Sequence, residues 1–207
     1  MDSVIRVMSV DDHPLLRQGL AAIINIENDM TLVAEASSGA EAIEVHRLHS
    51  PDVTLMDLRL PDMSGVDCLS AIRLVSPSAR VVMFSTYEGD VEIQRALKGG
   101  ARGYLLKTTP PDELIETIRL VHAGKRCIPS DLAATMAEYV AEDALSPREI
   151  EVLRLVAEGN RNRQIAERLF ISEETVKAHL KHAMLKLGAG DRTQAVTIAV
   201  RRGFIQI

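Results

Sequence analysis

Residues 53–65 read VTLMDLRLPDMSG, and residues 66–75 continue as VDCLSAIRLV. Val53–Met56 is a short, branched, mostly apolar run of the kind that forms a parallel strand buried on both faces. Asp57 follows at once. From Gly65 to Val75 the apolar residues recur at helical spacing. The stretch therefore predicts a buried strand, an acid at its carboxyl end, a loop and a helix.

Outward in both directions the same unit repeats. Val4–Val10, Leu32–Ala36, Val81–Phe84 and Gly103–Leu106 are further strand-like runs, and Leu15–Ile26, Ala40–His49, Val91–Lys98 and Glu113–His122 carry the helical period. Five strands alternating with five helices predict an α/β domain with a doubly wound, five-stranded parallel sheet.

The pattern changes after Gly124. Pro129-Ser130-Asp131 can start one helix reaching about Tyr139 or Val140, and Ala141-Glu142-Asp143 reads as the end of a linker. Beyond Ser146 the chain reads as purely helical. Ser146, Pro147 and Glu149 form a capping-box start for a helix ending at Gly159. Asn162 is expected to cap a helix to about Phe170, Ser172 one to Leu187, and Asp191 the last; Gly188 fits a left-handed cap. The expected organisation is a domain over residues 1–125, a linker with a short helix over 126–143, and an all-α domain over 144–207.

Composition limits the functional classes. The 207 residues are 46% hydrophobic and 26% charged, with no apolar run long enough to span a bilayer. The N-terminal residues lack the basic start and apolar block of a secretion signal, so a cytoplasmic location is expected. Cys68 and Cys127 stand far apart, offer no metal spacing and read as small packing residues. Net charge divides unevenly. Residues 1–143 hold 13 basic and 22 acidic residues, and residues 144–207 hold 11 and 7. Only the second part is suited to a polyanion.

The strand reading gathers particular polar residues. Asp11 and Asp12 follow the first strand, Asp57 the third, Ser85 the fourth and Lys107 the fifth. Open α/β sheets bind their ligands at this carboxyl edge. A carboxylate can attack phosphorus to give an acyl phosphate, and Asp57 on the central strand is the best-placed nucleophile. Clustered carboxylates repel one another and an incoming phosphoryl group, which a hard divalent cation such as Mg²⁺ relieves. Lys107 adds a fixed positive charge and Ser85 a hydroxyl for the new phosphate.

Asp11-Asp12-His13-Pro14, the run from Met56 to Gly65, and Gly103-Tyr104-Leu105-Leu106-Lys107 resemble the signature blocks of response-regulator receivers. That resemblance covers about residues 3–125 and implies strand order 2-1-3-4-5. It further implies a Mg²⁺ site of Asp12, Asp57 and the main-chain carbonyl of Arg59, with Asp11 acting through water. Ser85 and Tyr104 fall at the family's switch positions: phosphorylation draws Ser85 inward and Tyr104 fills the space. Thr108 stands where many receivers have proline, so a cis peptide is not expected there.

Residues 162–187 have the spacing of a helix-turn-helix, with Ile165, Leu169, Val176, Leu180 and Leu187 available to pack it. Lys177, Lys181 and Lys186 alternate with that apolar stripe, and Lys177 and Lys181 share a face suited to a DNA groove. Arg163 and Thr175 sit near helix N-termini, where phosphate binds well. His179 and His182 are open to either DNA contact or solvent, whereas His46 and His49 are expected on the surface. The blocks Leu145–Glu149, Gln164–Ala166, Ser172–His179 and Lys186–Ala195 resemble the LuxR-type DNA-binding domain. Joined to a receiver, they are similar to the NarL/FixJ group. The resemblance puts Lys177, Ala178 and Lys181 at base- or phosphate-contacting positions and the last helix in a DNA-bound dimer contact. It implies a sensor histidine kinase and double-stranded DNA as partners, a homodimer, no membrane role and no enzymatic turnover. An aspartyl-phosphate hydrolase would share the acids but would need a cap or substrate insertion that the sequence lacks.

Overall fold

The computed structural model describes residues 4–86, 89–128 and 145–205. The expected linker helix from Pro129 lies outside them. The chain divides into two compact units, one of residues 1–87 and 93–131, the other of 88–92 and 132–207.

In the first unit β1 (Ile5–Val10), β2 (Met30–Ala36), β3 (Val53–Met56), β4 (Val81–Ser85) and β5 (Gly103–Leu106) form one sheet in the order β2-β1-β3-β4-β5. Every pairing is parallel. The helices are α1 (Pro14–Ile26), α2 (Gly39–His49), α3 (Gly65–Val75), α4 (Asp90–Gly99), of which residues 93–99 belong to this unit, and α5 (Pro111–His122). The order is the one implied by the receiver resemblance.

Alternation along the strands fills both faces of the sheet. Val7, Val53, Leu55, Val82, Phe84 and Leu105 pack with Leu20 and Ile24 of α1 and with Ile115, Ile118 and Val121 of α5. Met8, Val10, Met56, Met83 and Tyr104 point to the opposite face and are also buried. A fully buried side chain such as Ile118 contributes roughly 1.5–3 kcal/mol by leaving water, so Ile118→Ala removes a large share of a marginal stability.

One expectation for this unit needs correction. His46 is buried, at 4% exposure, while His49 is exposed. His46 lies one turn beyond buried Ala42 on the inner side of α2, and the imidazole body packs there as an apolar group. Burial holds its pKa below the ordinary histidine value. Cys68 is buried and its thiol is pushed up to about 12 by burial, whereas Cys127 is partly buried. No cis peptide bond occurs among the described residues.

The second unit contains α6 (Pro147–Ala157), α7 (Asn162–Leu169), α8 (Glu173–Leu187) and α9 (Arg192–Arg201). Ser146 and Glu149 make the reciprocal capping box of α6. Ser172 and Asp191 cap α8 and α9, and Gly188 closes α8 at φ 62°. For α7 the cap position is Arg161, not Asn162. Asn162 is already helical, and the Gln164 side chain reaches back to the Arg161 N–H at 2.8 Å. Phe170 ends that helix in a left-handed conformation. Val152, Leu153, Ile165, Val176, Leu180, Ala183 and Leu187 form the core that fixes α7 against α8. Among the described residues no helix is long and apolar enough to cross a membrane.

Candidate functional site: an acidic pocket at the sheet edge and an exposed helix face

The sheet hydrogen bonding runs one residue past the strands. Asp11 donates its N–H to Ala36 O at 3.1 Å, Asp57 to Val10 O at 2.8 Å, and Lys107 to Ser85 O at 2.7 Å. Backbone pairing thus sets these side chains at the carboxyl edge of the sheet, at the ends of β1, β3 and β5, before any side chain interaction acts.

Lys107 Nζ lies 2.6 Å from Asp11 Oδ2 and 2.8 Å from Asp57 Oδ2. Both acids are buried, at 1% and 5% exposure. Burial pushes the Asp57 carboxyl above the ordinary aspartate value, and the Lys107 charge only partly offsets this. For Lys107, burial works against the charge, but the two carboxylates more than compensate and raise its pKa. A low-dielectric pocket with three acids and one retained cation remains short of positive charge.

Asp12 is exposed and meets His13 Nδ1 at 2.6 Å, while the same nitrogen stands 3.1 Å from Asp11 Oδ1. Donor atoms of Asp11, Asp12, His13 and Asp57 all fall within 4.8 Å of one another and could hold a metal ion. A pocket of about 560 Å³ opens here, lined by Asp12, His13, Asp57, Arg59, Thr86 and Lys107 among others. Arg59 donates its N–H toward Asp57 Oδ1 at 3.4 Å. Gly65 donates to Leu58 O at 2.8 Å, folding the loop back on itself. A Cβ at Gly65 would overlap the carbonyl oxygen of Asp57, so a glycine is needed there.

Ser85 closes β4 and Tyr104 lies on β5, both fully buried. Strand alternation sets Ser85 on the face of Met83, and Tyr104 pairs with Met83, so the two share one side of the sheet. His13 and Thr86 also line the pocket. His13 adjoins the acidic pair, and Thr86 extends the β4 edge by one residue, so that adjacency was the available signal.

In the second unit Lys177, Ala178, Lys181 and His182 are exposed on α8, and His179 is half-buried. Lys177 meets Glu174 at 3.1 Å, an exposed pair worth little. Thr175 is committed to the helix cap: its N–H donates to Ser172 Oγ at 3.1 Å, and the two hydroxyls lie 2.8 Å apart. Arg163 is exposed and pairs with Glu167 at 3.1 Å. Lys186 behaves differently from the other lysines. It meets buried Glu149 at 2.8 Å and holds the capping box in place.

Residues 7–119 match the response regulator receiver domain, and residues 143–199 match the bacterial regulatory proteins of the luxR family. The chain belongs to the response regulators of the NarL/FixJ family. This response regulator is 40% identical over 214 residues to the uncharacterised transcriptional regulatory protein YxjL of Bacillus subtilis, covering 98% of each chain. It is 37% identical over 198 residues to the nitrate/nitrite response regulator protein NarL of Escherichia coli, covering 91% of this chain and 92% of NarL. A structure of two RcsB dimers bound to two parallel DNAs aligns with TM-score 0.72 at 25% identity, over 95% of the regulator and 98% of that chain. The receiver pocket and the helix-turn-helix unit therefore belong to one two-component, DNA-binding regulator.

Proposed function

We propose that phosphoryl transfer from a sensor histidine kinase to Asp57 activates this regulator, which then binds double-stranded DNA as a homodimer. The observation that carries the reading is the convergence of Asp57, Asp11 and Lys107 at one strand edge beside an open pocket. Residues 1–125 act as receiver, 126–143 as linker and 144–207 as DNA-binding domain. The protein works in the cytoplasm as a transcription regulator with no substrate turnover.

In the transfer step an Asp57 Oδ attacks the phosphorus of a phosphohistidine. The new O–P bond forms as the N–P bond breaks, and the imidazole leaves with its electron pair. Lys107 stays protonated and pairs with a phosphoryl oxygen, and the Ser85 hydroxyl donates to another. Asp12, Asp57 and the Arg59 carbonyl, with Asp11 through water, would form an all-oxygen donor set suited to Mg²⁺, and the closeness of the Asp11, Asp12 and Asp57 oxygens supports that assignment. Bound there, Mg²⁺ would neutralise charge on the acids and the phosphoryl oxygens. Ser85 moving toward the acyl phosphate frees space beside Tyr104, and their shared sheet face supports that coupling. On α8, Lys177, Ala178 and Lys181 meet bases or phosphates, with Thr175 and His179 of the same helix and Arg163 of α7 beside the backbone.

The test is labelling with a phospho-donor in Mg²⁺. Wild type takes up one phosphoryl group and gains DNA affinity, whereas Asp57→Asn takes up none. Label in that variant at the wild-type level overturns the assignment.

A further inference from the structure

The loop leaving Asp57 is tied at its tip to a helix from elsewhere in the chain. Leu58 and Gly65 close its base, and Leu60 donates to Met63 O at 3.3 Å across it. At the tip the Asp62 carboxylate accepts from Gly39 N–H through Oδ1 and from Ala40 N–H through Oδ2, both at 2.8 Å. These are the first two amides of α2, which an isolated helix leaves without partners. Its third goes to Ser38, whose Oγ accepts from Glu41 N–H at 3.2 Å. Two independent caps thus serve one helix end: Ser38 is local, and Asp62 comes from the loop 23 positions away.

Packing supports the same junction. A Cβ on Gly39 would overlap the Met63 side chain, so the loop lies directly on the helix start. The Cys68 thiol of α3 reaches Gly39 O at 3.6 Å. The paired amides hold the Asp62 carboxyl below the usual aspartate range. At its base this loop carries Asp57 and Arg59, the groups assigned above to the phosphoryl and cation site.

We infer that Asp62 is a positioning residue for the reaction: by clamping the loop tip to the N-terminus of α2, it holds Asp57 and the Arg59 carbonyl in the arrangement that binds the divalent cation. The inference rests on the function proposed above. It differs from a simple helix cap because Ser38 already caps the same helix through Glu41 N–H, whereas the Asp62 bonds join that helix to the loop.

Mg²⁺ titration calorimetry on full-length wild type, Asp62→Ala, Asp62→Asn and Ser38→Ala tests it, with thermal unfolding of each. Asp62→Ala raises the Mg²⁺ dissociation constant about tenfold, the lower end of what outer-shell partners of metal ligands contribute. Its labelling rate recovers at saturating Mg²⁺. Asp62→Asn, which keeps one acceptor oxygen, falls between, and Ser38→Ala binds Mg²⁺ like wild type although it too loosens α2. Unchanged affinity in Asp62→Ala, or an equal loss in Ser38→Ala, overturns the positioning role while leaving the phosphoacceptor intact. Wild type that binds no Mg²⁺ overturns both readings.

Discussion

Lys107 Nζ stands between two buried carboxylates, 2.8 Å from Asp57 Oδ2 and 2.6 Å from Asp11 Oδ2. One ammonium thus balances two acids that water barely reaches, and a third, Asp12, stands close by at the pocket mouth. The pocket has surplus negative charge built into it, which is what a cation and a phosphoryl oxygen with its own positive partner can use.

Lys107→Ala leaves both acids buried without that partner. Breaking one side of such a group typically costs about 3–5 kcal/mol. Thermal unfolding without divalent ions is expected to show a clear loss, and added Mg²⁺ to restore part of it. The raised Lys107 pKa adds a pH signature. The stabilisation it represents is fully present below pH about 10.5, the unfolded value, and is lost as pH climbs through the higher folded value. The variant should therefore show a flatter alkaline limb than wild type, and an identical limb would contradict the pairing.

Gly65→Ala tests how closely α3 approaches the Asp57 carbonyl. A methyl there meets backbone, not a flexible side chain, so the strand end or the helix start must shift. Overpacking of this kind costs roughly 1–3 kcal/mol. Denaturant unfolding should register it, and phosphoryl uptake should fall further than stability alone explains, because the displaced group is the phosphoacceptor's own backbone.

The strands were legible because a parallel sheet buried on both faces demands short apolar runs, and Val53–Met56 and Gly103–Leu106 appear in the structure with the bounds their runs suggested. Helix starts were less legible. Pro14 and Pro111 open α1 and α5, where a missing N–H does no harm, although proline reads as a breaker elsewhere. The pocket's membership could be read from the strand ends, but not its pairings. Which carboxylates Lys107 touches depends on the strand order. His46 was misjudged because histidine is polar by type and apolar in body, and its spacing from Ala42 was the better guide. Lys186 was grouped with Lys181, although five residues carry it about 140° round the helix. That rotation points it at Glu149.

His46 gives a second pH prediction of opposite direction. Its folded pKa lies below the unfolded value because burial disfavours the cation. The folded state is therefore unpenalised above pH about 6.5 and loses stability as pH falls through the lower folded value. Wild type should lose stability between neutrality and mild acid, and His46→Phe should flatten that part of the curve. Chemical denaturation at several pH values measures this. The same slope in both proteins would mean that another group titrates there.

Lys181 and Lys186 lie on one helix and should fail in different assays. Lys181 is exposed beside Lys177 and Ala178, so Lys181→Ala should leave unfolding unchanged within about 0.5 kcal/mol. It should weaken DNA binding and reduce the slope of log affinity against log salt by about one. Lys186 holds the buried carboxylate of Glu149, whose pKa is affected first by burial, which raises it, and then more strongly by Lys186 and the Ser146 N–H, which together bring it below the ordinary glutamate value. That contribution is present above pH about 4.5 and disappears as pH falls through the lower folded value. Lys186→Ala should therefore destabilise the helical unit at neutral pH, and the difference from wild type should shrink in acid. Its DNA affinity, measured well below the unfolding temperature, should stay near wild type with an unchanged salt slope. A Lys186 variant that loses DNA affinity while unfolding normally would put DNA on the opposite side of α8.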